Sequence, residues 1–208
     1  MSMEEFIVGM PPHAEPWPEG LQYDQELLEK GDQRNVEDKY RYWTVEAIKA
    51  DLAKRRSELH VAIENWQHDF NIGTIVRSAN AFNVAAVHII GKRHWNRRGA
   101  MVTDRYLEII HHDTVADFIS AMGARHIIAV DTFKGASPLA NVRLPRNAVL
   151  VFGGEGPGLS EEMRGAAEYM VMIEQFGSTR SVNVGVAAGI VMYEWMRQHV
   201  LENDVDVT

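Results

Sequence analysis

Three polar clusters, each following an apolar run, have residue types and spacing suited to chemistry. In "ENWQHDFNIGTIVRSANAF", Asn71 stands six positions before Arg77, which sits among Ile75, Val76 and Ala79. The five fixed donors of Arg77 suit a phosphate or carboxylate. An arginine here equally serves as a surface residue with its stem laid along apolar neighbours, and Asn71 equally reads as a helix N-cap. In "LVFGGEGPGLSEEM", four glycines and one proline within six positions let backbone approach a ligand closely. Glu155 among them repels phosphate, and either fixes a donor or bonds the N–H groups of its own loop. The loop is neither a GxxxxGK[ST] phosphate cradle nor a GxGxxG dinucleotide fingerprint. In "FGSTRSVNVGVAAGIVMYEW", Ser181 and Asn183 precede a helix of small residues. Ser181 reads as the N-cap; capping by Ser181 leaves Asn183 unexplained.

Elements of alternating type must position these clusters. Short β-branched runs at 59–65, 84–91, 126–132, 148–154 and 169–174 read as strands. Helical stretches at 72–82, 114–122, 159–167 and 182–199 separate or follow them. This order implies a mostly parallel sheet with helices on both faces, an α/β fold. In such sheets ligands bind beyond the carboxyl ends of strands, where all three clusters fall. Ahead of the sheet, residues 1–20 form a proline-broken, acidic arm, and 21–56 read as helical, with Tyr40, Trp43, Ile48 and Leu52 near one face. The division expected is therefore 1–57 as extension, 58–201 as one α/β domain and 202–208 as an acidic tail.

Composition narrows the function classes. The chain has 208 residues, 46% of them hydrophobic, and no cysteine, which excludes disulfides and thiolate metal ligands. No apolar run approaches the ~20 residues of a membrane span. The N-terminus is acidic and unlike a signal peptide, making the cytoplasm the default compartment. Histidines at 13, 60, 68, 111, 112 and 126 show no metal-ligand spacing, so no metal is expected. The net charge of −8 is concentrated at the ends: the first 38 residues carry ten acids against two bases, and the last seven carry three acids. Residues 39–201 hold 19 bases against 16 acids, so the body can carry a basic face.

The order Asn-x5-Arg, GGEGPG, then Ser-x-Asn before a small-residue helix resembles the three motifs of the SpoU/TrmH family of SPOUT methyltransferases. The resemblance covers about residues 59–200. "FGSTRSVNVGVAAGIVMYEWMRQ" is similar to the branch acting on tRNA ribose, with Val182 where leucine is usual. The resemblance implies methyl transfer from S-adenosylmethionine to an RNA 2′-hydroxyl, a C-terminal trefoil knot and a homodimer. It implies Gly153, Gly154, Gly156, Ile173 and Val182 as the cofactor's surroundings, with Thr132 and Phe133 as further candidates. Asn71, Arg77, Glu155, Ser181 and Asn183 are the implied catalytic set. The basic, aromatic-interleaved "GKRHWNRRG" supplies Lys92, Arg93, Trp95, Arg97 and Arg98 for RNA, joined by Arg180. Two rivals remain: a non-catalytic RNA-binding or assembly protein of the same fold, and a nucleotide-dependent α/β enzyme.

Overall fold

The alternating pattern produces, in the computed structural model, a seven-stranded sheet in which every strand pair is parallel. Residues 9–66, 71–154 and 158–202 are described, in two units, 1–55 and 56–208. The strands are β1 (His60–Asn65), β2 (Ala86–Gly91), β3 (Ile109–His112), β4 (His126–Val130), β5 (Ser137–Pro138), β6 (Ala148–Phe152) and β7 (Tyr169–Met172), in the spatial order β3-β2-β1-β6-β4-β7-β5. β3 and β5 were not expected. They are short edge strands, of four and two residues, held by β2 and β7 rather than by their own apolar pattern.

Period-two alternation divides the interior into two cores. Val61 and Ile63 of β1 pack on the side of α3 (Ile72–Ala81) and α6 (Val184–Met196). Ala62 faces α4 (Val115–Met122) and α5 (Glu161–Ala166), with Phe118 and Met163. α3 buries Ile72, Ile75, Val76 and Ala79, the i, i+3, i+4, i+7 stripe of an amphipathic helix. Thr114 caps α4 through Asp117 N at 3.0 Å, and Ser160 caps α5 through Met163 N at 3.1 Å.

In the first unit α1 (Gln25–Lys30) is capped by Asp24 and closed by Gly31, and α2 (Val45–Ala53) is capped by Thr44. The helical reading over 21–56 is thus realised only in part. Between α1 and α2 the buried Asp32 carboxylate takes two bonds from the Arg34 guanidinium, at 2.8 and 2.7 Å, and one from Tyr42 N at 2.9 Å. Tyr42 adopts a left-handed φ of 62°, which interrupts any continuous helix.

Parallel register lines up three histidines on the α4 face of the sheet. His60 Nδ1 lies 2.8 Å from His88 Nε2, and His88 Nδ1 lies 2.9 Å from His112 Nε2, beside Phe118. Burial pushes His88 down to about 3 and His60 down to about 4, with the Arg125 charge adding to the second; burial also lowers His112. The unfolded chain therefore binds protons near pH 6.5 that the folded chain refuses, and stability falls as pH drops below that value. Between pH 7 and 5, before most carboxylates titrate, His88 alone should cost about 2 kcal/mol. Urea unfolding at the two pH values measures this, and His88→Leu should show a correspondingly smaller acid loss.

Candidate functional site

Strand order sets the carboxyl ends of β6, β4 and β7 side by side. Beyond them lies a cavity of about 290 Å³. Asp131 and Thr132 after β4, Gly153 and Gly154 after β6, and Ile173 and Gln175 after β7 line it, together with Ser181, Val182 and Asn183 ahead of α6. The glycine loop and the Ser-x-Asn cluster therefore meet in one pocket. Two carboxylates hold the loop from outside. Glu64, fully buried at the end of β1, accepts bonds from Ser160 N and Ser160 Oγ, both at 2.7 Å. Asp131 Oδ2 lies 3.5 Å from Leu159 N, where Gly158 turns through a left-handed φ of 68°. A side chain at Gly153 would overlap the backbone of Gly158 and Leu159.

The N-cap of α6 is Asn183, not Ser181. Its Oδ1 accepts from Gly185 N at 3.0 Å and Val186 N at 3.3 Å, and the helix begins at Val184. Two potential caps stand two residues apart, and the later one takes the helix; Ser181 is left exposed on the cavity wall. Asn183 Nδ2 also donates to Asn71 Oδ1 at 2.9 Å, across 112 positions of sequence. Asn71 precedes α3 but makes no side-chain cap, because it sits in the right-handed helical region with its oxygen turned to Asn183. Members of all three sequence clusters thus meet, Asn71 with Asn183 and both Ser181 and Asn183 with Gly153 and Gly154, while Arg77 stands apart. Thr74 tightens the junction: a methyl at Gly185 would come within 3.0 Å of its Cγ2.

The sequence model of the SpoU rRNA Methylase family matches residues 58–193, the stretch that builds this pocket. The chain belongs to that family. Among SpoU relatives, it is 26% identical over 152 residues to the tRNA (guanosine(18)-2′-O)-methyltransferase of Escherichia coli K12, covering 71% of this chain and 66% of that protein. It is 32% identical over 163 residues to the 23S rRNA (guanosine-2′-O-)-methyltransferase RlmB of Neisseria meningitidis serogroup B, covering 74% and 65%. The chain thus spans just under two thirds of the length of these two curated relatives. The crystal structure of the A. aeolicus TrmH/SpoU tRNA modifying enzyme superposes with a TM-score of 0.68 at 26% identity, over 76% of this chain and 84% of that one.

Around this SpoU pocket the remaining candidates are distributed unevenly. Arg77 is exposed on α3, opposite its buried stripe, and does not line the cavity. Lys92, Arg93, Arg97 and Arg98 are exposed after β2, and Arg180 is exposed before α6. Trp95 is half-buried against the core, and the Arg97 guanidinium lies 5.5 Å from its ring, so part of its stacking surface is taken. Phe133 faces outward, 5.0 Å from the Arg164 guanidinium, rather than into the cavity. Glu155 and Gly156 lie outside the described residues.

Glu64, Asp131 and Gln175 went unread as site residues. Asp131 and Gln175 carry one signal, a polar residue just past a strand end. Glu64 carries none, because a carboxylate ending a strand gives no hint of a partner 96 positions away. Gln175 donates to Thr132 Oγ1 at 3.3 Å, and its Oε1 is buried without a hydrogen-bond partner among the described residues.

Proposed function

We propose that this chain transfers a methyl group from S-adenosylmethionine to a ribose 2′-hydroxyl of tRNA or rRNA. The observation that carries the reading is Asn183, which caps α6 at the cavity and bonds Asn71 at the start of the helix bearing Arg77. The cavity suits a folded nucleoside–amino acid: Ile173 and Val182 offer apolar walls, Gly153 and Gly154 bare backbone, Asp131 a carboxylate for an ammonium group, and Gln175 Oε1 an unfilled acceptor. Bound there, the cofactor supplies an electrophilic methyl on a sulfonium.

The residues supply alignment and charge. In-line displacement depends on holding the ribose oxygen in position. Ser181 and Asn183, exposed at the pocket mouth, orient that hydroxyl, and Asn71 fixes Asn183. Arg77 holds RNA phosphate and stabilises the developing alkoxide, while the hydroxyl proton passes to solvent at the open pocket mouth; a guanidinium with a pKa above ~12 is a poor base. By the family resemblance Glu155, outside the described residues, fixes either the Asn71 loop or a neighbouring donor. Lys92, Arg93, Arg97, Arg98 and Arg180 bind the RNA backbone, and Trp95 stacks with what remains of its ring.

We extend the proposal to a homodimer. Val186, Ile190 and Tyr193 follow one another along α6 and are 52, 41 and 53% exposed, beside a groove with Phe82 that a second copy would cover. Pairing would bring Arg77 toward the partner subunit's pocket. The family resemblance further supports a trefoil knot between β6 and α6, and 58–201 as the catalytic unit between a 1–57 extension and a 202–208 tail. Action on tRNA or rRNA implies work in the cytoplasm; no helix among the described residues is long and apolar enough to cross a membrane.

Calorimetry with S-adenosylmethionine and with NAD, followed by tritiated-methyl transfer to bulk tRNA and rRNA, tests the reading. Selective binding of the sulfonium and label in 2′-O-methyl nucleotides are expected. Binding of NAD instead would favour the nucleotide-dependent enzyme. RNA binding without transfer would favour the non-catalytic assembly protein.

A further inference from the structure

The loop after β2 carries a feature that the basic residues do not account for. Met101 and Val102 are consecutive non-glycine residues with left-handed φ of 48° and 67°. For a β-branched residue this is a strained backbone, and such strain persists only where the surroundings over-determine it. Here they do. Ala100 and Thr103 on either side are buried, and Thr103 Oγ1 donates to Ala100 O at 2.6 Å, closing the turn. The two residues between them are forced outward, 53 and 51% exposed.

The tip is also locked to the site. A methyl at Gly73 on α3 would lie 2.9 Å from Ala100 N, Asn96 O and Gly99 Cα, so α3 and this loop meet backbone to backbone. Gly99 lies as closely against Thr74, which also contacts Gly185 beside Asn183. Loop, α3 and the start of α6 therefore form one rigid junction. Between 92 and 105 the chain carries Lys92, Arg93, Arg97, Arg98 and Arg105 against the single acid Asp104. An exposed apolar pair amid five cations is a poor contact for a second copy, because a twofold interface would set the same positive patch against itself. It suits a polyanion with apolar faces.

We infer that Met101 and Val102 form an apolar wedge that inserts against a splayed base of the RNA, holding the strand open beside the nucleotide being methylated. The inference rests on the RNA-methylating reading above. Proteins commonly separate stacked bases with small apolar wedges flanked by phosphate-binding cations. An RNA helix already displays its 2′-hydroxyls in a shallow groove, but carrying one into a pocket beyond the strand ends requires its nucleotide to leave the stack.

Val102→Gly and Met101→Gly remove the wedge while suiting the left-handed backbone, so the thermal midpoint should stay at or above that of the parent. Each should weaken binding of bulk tRNA about tenfold and raise KM with little change in S-adenosylmethionine affinity. A stem–loop transcript carrying 2-aminopurine should brighten on binding the parent protein and stay dark with the glycine variants, and Met101→Leu should restore the signal. Unchanged RNA affinity and fluorescence in both glycine variants would overturn the wedge while leaving the methyltransferase reading intact. A change of oligomeric state in those variants would reassign the tip to a contact between copies. A parent protein that binds and methylates no RNA removes the functional reading and the wedge with it.

Discussion

Alanine at position 153 is expected to weaken S-adenosylmethionine binding roughly a hundredfold. The added methyl would collide with main-chain atoms of Gly158 and Leu159, not with a side chain able to swing aside. The loop has no easy retreat, since Ser160 is held twice by the buried Glu64 carboxylate and Gly158 already turns left-handed. Overpacking of this kind costs about 1–3 kcal/mol. Relief by displacing the cavity wall would lower cofactor affinity roughly a hundredfold, at 1.4 kcal/mol per factor of ten. Titration calorimetry measures the affinity and a thermal melt the strain. Gly165→Ala on α5 is the control, because nothing lies within 4 Å of its added methyl, and it should be neutral or gain up to about 1 kcal/mol. Parental affinity in Gly153→Ala would place the cofactor elsewhere.

Arg77→Lys should slow methyl transfer at least tenfold, and Arg77→Ala by roughly 10²–10³, the usual loss on deleting a group that stabilises transition-state charge. Lysine keeps the charge but not the planar fork that grips two oxygens together. The side chain is exposed and absent from the cavity wall, so folding and cofactor affinity should both survive. Single-turnover transfer on tRNA or rRNA separates this loss from weakened binding. A lysine variant that turns over like the parent would leave the fork without a role.

Much of the architecture was legible because burial on both faces writes itself as continuous apolar runs, as in "AVLVF" of β6. What stayed hidden depends on neighbours. Ser137–Pro138 is a strand only because β7 lies alongside it. His60, His88 and His112 look scattered until parallel register stacks them. Ser181 and Asn183 are both credible caps by type; the choice follows from where α6 begins, and one Nδ2 hydrogen of Asn183 is given to Asn71. Tyr42 has no propensity for a left-handed turn and adopts one with its N–H bound to the Asp32 carboxylate. The glycine loop was readable as a pocket wall from its composition, while Asp131 and Gln175 line the cavity because β4 and β7 are adjacent.

The buried grip of Glu64 on Ser160 has a bearing on how this pocket can diversify. Residues 153–160 do not make a self-contained cassette. Grafting a relative's loop that lacks the Ser160 donors would strand the Glu64 carboxylate charge away from water, and altering 64 alone would leave the two Ser160 donors and Trp66 Nε1 without their acceptor. Change at either place is tolerated best when both alter together, so natural variants should show the two positions substituted as a pair.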